Sequence, residues 1–340
     1  MGKNILIYKN NQSKIIYNIK KIKLEQETHD FNYWLPEELT FTSLSIQNNG
    51  IYSSSSINGF NFITVSVILS LQKLLNKTIT NYTGSETKIK AGVFNNCSKL
   101  QSINLPNCSY IGSYTFYRCH SLQSIDLSNC SYIEERAFED CYSLQSVNLP
   151  NCSYIGESAF YNCSSLQTIN LPNCSYVEDG AFNICRSLQS INLPNCSYIG
   201  RYAFQYCPSL QFINLPNCSY LERSAFQGCS SLQSINLPSC SYLERSAFAF
   251  CSSLQSVNLP NCSYIGTETF DHCSLLSKII LGYSSIVSIS TTNIFGYTPI
   301  VKSNYLGYYG SIYVPTSLVD SYKTAQYWSY YSDKITNIPE

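Results

Sequence analysis

The sequence predicts a solenoid of stacked 22-residue coils, because three kinds of side chain recur with that period. The leucine that opens each "LQ" segment returns every 22 residues from Leu100 to Leu254, and Leu276 keeps the phase. A phenylalanine column runs at the same spacing from Phe94 to Phe270. All seventeen cysteines fall into two further columns, Cys97 to Cys273 and Cys108 to Cys262. Such a regular repeat indicates one structural unit copied about nine times.

The unit that begins at Leu100 fits the leucine-rich repeat template Leu-x-x-Ile-x-Leu-x-x-Cys-x-x-Ile. Side chains alternate along a strand, so Ser102 and Asn104 are expected to point outward. Pro106 has no amide hydrogen and is expected to end the strand. The predicted core of this coil consists of Leu100, Ile103, Leu105, Cys108, Ile111, Phe116 and Cys119. The predicted fold class is therefore a right-handed leucine-rich repeat solenoid with a short parallel β-strand per coil and an irregular or short helical return.

The period divides the chain into three predicted parts. Residues 1–85 lack the repeat and form a predicted β-rich N-terminal module. In it, "ILIY" and "KIIYNI" around "KNNQS" predict one hairpin, Ser43–Val67 predicts a second, and Val67–Asn76 predicts a short helix. Residues 86–290 form the solenoid, because a coil buries its apolar face only against neighbouring coils.

Residues 291–340 are predicted to cap the open end of the solenoid with a small β/α unit. A strand is expected at Ile312–Val314. Pro315 then suits the start of a helix that continues to about Tyr327. Four side chains share one face of this predicted helix: Leu318, Val319, Tyr322 and Ala325.

The cysteines are expected to be small buried core residues rather than ligands or bridges. An odd total of seventeen cannot pair completely, and the chain has no Cys-x-x-Cys pair. Only three histidines are available, His29, His120 and His272. We therefore expect no metal, no cofactor and a reducing site of synthesis.

The composition and the absence of certain sequence motifs argue against several classes of function. The formal net charge is zero and 12% of residues are charged, which argues against a nucleic-acid partner. The most apolar run, Phe60–Leu71, is shorter than the ~20 residues of a membrane span. The N-terminus shows no signal peptide, so we expect synthesis in the cytoplasm without one. The histidines lie far apart and no catalytic grouping is visible, so we expect no enzymatic activity.

Two regions are candidates for contact with a partner. On the outward strand positions, Ser102, Asn104 and their equivalents barely change, and Phe212 is the one large exception. Such a uniform polar sheet suits either a repetitive partner, such as a glycan or another copy of the chain, or plain solvation. In the return half of the coils, the sequence varies more.

The variable return half carries three arginines and two aromatic residues in matching columns: Arg201, Arg223, Arg245, Tyr206 and Phe250. One interpretation is an interaction patch of aromatics and arginines, which are enriched at binding hot spots. The other is a ladder of Glu/Arg ion pairs with Glu222 and Glu244 beside scattered exposed rings. The tyrosine column from Tyr110 to Tyr264 has two interpretations as well, a sugar-binding stripe or ring packing between coils.

The segment "LPNCSYIGESAFYNCSSL" at Leu149–Leu166 resembles the BspA-like leucine-rich repeat family, whose units follow "LxxIxLPxxxxxIgxxAFxxCxxL". The resemblance covers roughly residues 86–290. It implies a curved, non-catalytic solenoid used for attachment or protein binding, found on bacterial and protozoan surfaces and in phage-derived genes. The segment Ser43–Val67 resembles a tail-associated "ENGTY…GYxxVxVxV" segment of phages, although this chain has "NNGIY". Gly310–Ile338 resembles the closing segment of gut bacterial and prophage proteins.

These features together predict a non-catalytic adhesion protein that binds a protein or a cell-surface glycan. The flanking resemblances imply a place on a phage tail, in a virion, or on a bacterial surface. The alternative is an intracellular scaffold for protein–protein interaction. The sequence leaves the ligand and the oligomeric state open.

Overall fold

The computed structural model describes residues 79–282, 285–301 and 309–339, together with the backbone of five short strands nearer the N-terminus. The predicted hairpin around "KNNQS" is present, since Lys3–Lys9 pairs antiparallel with Ser13–Ile19. A second antiparallel pair joins Ser56–Ile57 to Phe60–Asn61. Leu44–Ile46 differs from the expectation, because it pairs in parallel with Asn81–Gly84 rather than within a hairpin. The predicted helix at 67–76 lies outside the described residues.

The predicted leucine-rich repeat solenoid is confirmed. Its outward strands form what we call the first sheet, in which strands of neighbouring coils pair in parallel within an eight-stranded part and a five-stranded part. The eight-stranded part of the first sheet comprises Leu44–Ile46, Asn81–Gly84, Ser102–Asn104, Ser124–Asp126, Ser146–Asn148, Thr168–Asn170, Ser190–Asn192 and Phe212–Asn214. The five-stranded part comprises Ser234–Asn236, Ser256–Leu259, Lys278–Leu281, Ser311–Val314 and Ile335–Asn337. The sheet thus includes Asn81–Gly84, which the repeat pattern alone assigns to the N-terminal module.

A second parallel sheet, which the repeat pattern does not reveal, follows the first around each coil. Each of its ten strands is only two residues long and pairs with the equivalent pair of the next coil. Its strands are Lys88–Ile89, Tyr110–Ile111, Tyr132–Ile133, Tyr154–Ile155, Tyr176–Val177, Tyr198–Ile199, Tyr220–Leu221, Tyr242–Leu243, Tyr264–Ile265 and Ser288–Ile289.

The return that closes each coil contains no helix in the described coils and is more regular than expected. Two residues per return adopt the left-handed conformation, as Tyr114 (φ 57°) and Arg118 (φ 58°) do. The amide of Phe116 donates to the carbonyl of Ala137 in the next coil at 2.7 Å, and that of Tyr114 donates to Glu135 at 2.9 Å. Backbone hydrogen bonds therefore join neighbouring coils on the return side as well as in both sheets.

The core is a set of stacked columns, as the period predicts. All seven core residues predicted for the first coil are buried. The phenylalanine rings stack nearly parallel, for example Phe160 on Phe182 at 5.3 Å between centroids and Phe182 on Phe204 at 5.2 Å. Aromatic contacts of this kind add stabilisation beyond that of burial.

A column of asparagine side chains reinforces the stack next to each proline. Asn195 Nδ2 donates to the carbonyl oxygen of Pro172 in the preceding coil at 2.9 Å. Asn217 contacts Pro194 in the same way at 2.7 Å. Where serine replaces asparagine at Ser239, its hydroxyl donates to the equivalent carbonyl at 2.7 Å. This position therefore favours a side chain that can donate a hydrogen bond to the proline carbonyl of the preceding coil, which explains why asparagine recurs there.

The C-terminal cap contains a shorter helix than predicted. A 3₁₀ turn at Thr316–Leu318 leads into an α-helix at Val319–Thr324, which ends before the expected limit near Tyr327. Ala325 is extended, and Tyr327 adopts φ 66°. A further 3₁₀ turn, Trp328–Tyr331, and the strand Ile335–Asn337 complete the cap.

The early end of the helix allows aromatic side chains to cover the last coil. Trp328 is buried, and its Nε1 donates to the carbonyl of Val287 at 2.7 Å. The hydroxyl of Tyr322 accepts the amide hydrogen of Val287 at 2.9 Å. A helix continued through Tyr327 would carry Trp328 away from these backbone groups.

Among the described residues, no helix is both long enough and apolar enough to cross a bilayer.

Candidate binding surfaces

A shallow trough of about 700 Å³ lies on the outward face of the first sheet. It is lined by two polar rows, one of serine and threonine hydroxyls and one of asparagine amides with Asp126, and by the aliphatic residues between them, Ile125, Val147, Ile169 and Ile191. Phe212 borders the trough and is 60% exposed, an unusual environment for a large apolar ring. The residues of the polar rows are Ser124, Ser146, Thr168, Ser190, Asp126, Asn148, Asn170 and Asn192.

The first sheet divides beside Phe212. The strand Phe212–Asn214 ends the eight-stranded part, and the next outward strand, Ser234–Asn236, begins the five-stranded part. The second sheet is continuous at the same level, where Tyr220–Leu221 pairs with Tyr242–Leu243. The exposed ring therefore lies where strand pairing in the first sheet is interrupted, while the second sheet stays paired on the same coil.

An exposed aromatic row runs along the return side. Phe250 stacks on His272 at 4.5 Å, and His272 stacks on Tyr297 at 4.3 Å. Two coils before Phe250, the ring of Tyr206 covers Gly228, where an added Cβ would lie 2.8 Å from a ring carbon. We call these four side chains the aromatic row: Tyr206, Phe250, His272 and Tyr297. His272 lies 22 residues after Phe250 and so continues the same column, whereas Tyr297 falls outside the 22-residue spacing.

A second return-side column carries charge, and its sign changes half-way along. Successive coils place three acids and then three arginines at this position, all exposed or partly exposed. We call this set the charged column: Glu135, Glu157, Asp179, Arg201, Arg223 and Arg245. The three arginines are among the contact residues predicted from the sequence, and the three acids are not.

Some members of the charged column have partners within the chain. Arg201 Nε lies 3.4 Å from a carboxylate oxygen of Glu222, and this hydrogen bond raises the pKa of Arg201. Arg245 Nη2 lies 2.9 Å from Glu268. The ladder of Glu/Arg ion pairs is therefore present in part. Because these arginines are more than half exposed, water screens both ion pairs and each contributes little to stability.

The tyrosine column packs between coils. Tyr132 stacks on Tyr154 at 4.3 Å, and the whole column from Tyr110 to Tyr264 continues in this way. Several hydroxyls also bind a glutamate of the next coil, as Tyr220 does with Glu244 at 3.2 Å. The hydrogen bond to Glu134 raises the pKa of Tyr110 to about 12. Ring packing accounts for this column without a ligand.

All seventeen cysteines lie in the described coils, where each is buried and free. Their thiols donate to backbone carbonyls. Cys108 Sγ lies 3.3 Å from the oxygen of Tyr110, and Cys119 Sγ lies 3.2 Å from that of Phe94. Burial raises the pKa of Cys196 to about 12, which suppresses the reactive thiolate. The described residues include no group of three or more His, Cys, Asp or Glu side chains suited to a metal ion.

The six predicted contact residues thus occupy three different columns. Arg201, Arg223 and Arg245 lie on consecutive coils of the charged column, and Tyr206 and Phe250 belong to the aromatic row. Phe212 borders the trough on the first sheet. Phe212 therefore lies on the first sheet, apart from the five return-side residues, and an interaction patch of arginines and aromatic side chains stays a prediction.

The repeat itself matches a known protein family. The model of the BspA type leucine-rich repeat region matches residues 87–211 and 197–308, which together exceed half of the chain. The chain belongs to this family. Proteins of this kind are typically non-catalytic binding scaffolds. A search of curated protein sequences finds no significant match.

Several solved structures similar to the chain are bacterial leucine-rich repeat proteins. One from Bacteroides ovatus is 21% identical, with 90% of this chain and 97% of that chain covered and a TM-score of 0.37. A leucine-rich cell surface protein from Faecalibacterium prausnitzii is 20% identical, with 72% and 90% covered and a TM-score of 0.34. A third, from Eubacterium ventriosum, is 20% identical, with 65% and 77% covered and a TM-score of 0.45.

Proposed function

We propose that the chain is a non-catalytic recognition protein whose trough on the first sheet binds a neutral linear glycan. The observation that carries this proposal is the lining of the trough, two uncharged polar rows interrupted only by Asp126 and bordered by the exposed ring of Phe212. Hydroxyl and amide groups both donate and accept hydrogen bonds, as sugar hydroxyls do. An aromatic ring presents a flat apolar surface that suits the C–H face of a sugar ring.

The repetition of the rows supports a repetitive ligand. Equivalent side chains on neighbouring strands lie about 4.8 Å apart, so successive coils offer the same donors and acceptors in register. Asn214 Nδ2 donates to Asn192 Oδ1 at 2.9 Å, which aligns the amides along the row. A compact small molecule would contact few of these equivalent groups, whereas an extended chain of sugars would contact many.

A protein partner is the second candidate, and the aromatic row favours it. Tyr206 is 50% exposed, Phe250 46% and Tyr297 67%, so the aromatic row keeps apolar surface available on the return side. Aromatic side chains of this kind dominate the energetics of many protein interfaces. Family membership supports display on a bacterial surface. The flanking resemblances add a phage tail as a more specific location, and an intracellular scaffold is the alternative.

The glycan proposal is tested with Phe212→Ala and a panel of malto-, cello- and xylo-oligosaccharides, measured by calorimetry. Loss of the ring is expected to weaken binding at least about tenfold, because the one aromatic contact of the trough is lost. Phe212→Tyr keeps the ring and is expected to bind normally. Phe250→Ala, on the aromatic row, is the matched control and is expected to leave oligosaccharide binding unchanged.

Two outcomes would overturn the glycan proposal. One is unchanged oligosaccharide binding by the folded Phe212→Ala protein. The other is that no member of the panel binds the unmodified chain, while a surface protein binds it through Phe250. The second outcome would indicate that the aromatic row, and not the trough, is the surface that binds the partner.

A further inference from the structure

The charged column is self-complementary when its order is reversed. Three acids at 22-residue intervals are followed by three arginines at the same intervals, and the midpoint lies between Asp179 and Arg201. A two-fold axis at that midpoint brings two copies of the column together antiparallel. Every acid then faces an arginine of the other copy: Glu135 with Arg245, Glu157 with Arg223, and Asp179 with Arg201. We propose that the charged column is a self-association surface for an antiparallel dimer of this chain.

The members without a partner in their own chain support this pairing. Glu157 and Arg223 are both exposed, and within the described residues neither forms an ion pair. The other members are engaged locally. Glu135 contacts Arg136 at 3.2 Å, and Asp179 accepts the backbone amide hydrogen of Arg201 at 2.7 Å. The antiparallel arrangement joins the unpaired carboxylate to the unpaired guanidinium, and the two-fold axis produces this contact twice.

Of the neighbouring glutamates, Glu222 pairs with Arg201 within the same chain, and the others form hydrogen bonds inside their own solenoid. Glu178 accepts a hydrogen bond from Tyr154 at 3.3 Å, and Glu244 accepts one from Tyr220 at 3.2 Å. Glu134 is held by Tyr110 and by the hydroxyl of Ser113. These carboxylates are therefore bound within their own solenoid. The charged column remains the return-side position at which the sign of the charge reverses along the solenoid.

The pairing is electrostatic, so its dependence on salt and on charge reversal identifies it. Sedimentation velocity of the full chain is expected to show a dimer at low ionic strength that dissociates as salt screens the exposed charges. Arg223→Glu places like charges opposite each other twice and is expected to raise the dimer dissociation constant about tenfold or more. Glu157→Arg is expected to do the same.

The double variant Glu157→Arg with Arg223→Glu provides the decisive comparison. It recreates both contacts with reversed sign and is expected to restore the original dissociation constant. Because its net charge is also the original one, the control at Arg186 is needed to exclude a general effect of net charge. Arg186→Glu makes the same change in net charge at an exposed site on another column, so it is expected to leave the dimer intact. Circular dichroism verifies that each variant is folded. A monomer at low ionic strength and high concentration, or a double variant as weak as the single ones, would overturn the proposal.

Discussion

Deletion of one whole coil, residues 188–209, is expected to yield a folded protein with a single cooperative unfolding transition. The deletion joins Ser187 to Leu210, so the leucine, phenylalanine and cysteine columns continue in phase across the junction. Each coil contacts only its neighbours, so the remaining coils keep equivalent partners. The expected cost is a modest fall in the urea midpoint, measured by circular dichroism.

The matched control removes nine residues, 188–196. This smaller deletion places Ser197 where Leu188 belongs and moves the leucine, phenylalanine and cysteine columns out of phase. It is expected to abolish the single transition, because a register error exposes core positions and buries polar ones. If the two deletions had similar stability, coil-by-coil stacking would be the wrong description of this fold.

Phe182→Ala is expected to destabilise the protein by about 3–5 kcal/mol, because it leaves a cavity between two neighbouring rings. Phe182 is fully buried and stacks on Phe160 at 5.3 Å and on Phe204 at 5.2 Å. The side chains above and below are fixed by their own coils, so they cannot move together to fill the space. Urea unfolding followed by tyrosine fluorescence measures the free energy of unfolding.

Phe212→Ala is the control for this experiment, since it removes the same atoms from a site that is 60% exposed. A change within about 0.5 kcal/mol is expected there. Comparable losses at the two sites would mean that the phenylalanine column does not form the core.

The repeating features were predictable from the sequence because they are local and copied. A 22-residue period sets which side chains stack, so the spacing alone assigns Leu100, Phe116 and Cys119 to the core. The same comparison of coils identifies Phe212 as an exception on the outward strands. A repeated residue indicates whether its position is buried or exposed, because each copy lies in the same environment in its own coil.

Features that depend on relations between coils were missed. The two-residue strands of the second sheet, such as Tyr110–Ile111, are too short to leave an alternating pattern. The aromatic row needs His272 and Tyr297, which lie 25 residues apart because the repeat has already decayed there. The early end of the cap helix depends on the docking of Trp328 against Val287, a contact distant in sequence.

The central claim is that stacked coils enclose all the cysteines as buried, unpaired side chains, and titration of thiols in the native protein tests it most directly. Burial raises the pKa of Cys207 to about 12, so the thiolate is scarce at neutral and mildly alkaline pH. We expect almost no reaction with a thiol reagent at pH 8 in the folded state, and reaction of all seventeen after unfolding in guanidinium without a reductant. Rapid reaction of most thiols in the native protein, or a count well below seventeen after unfolding, would contradict the account.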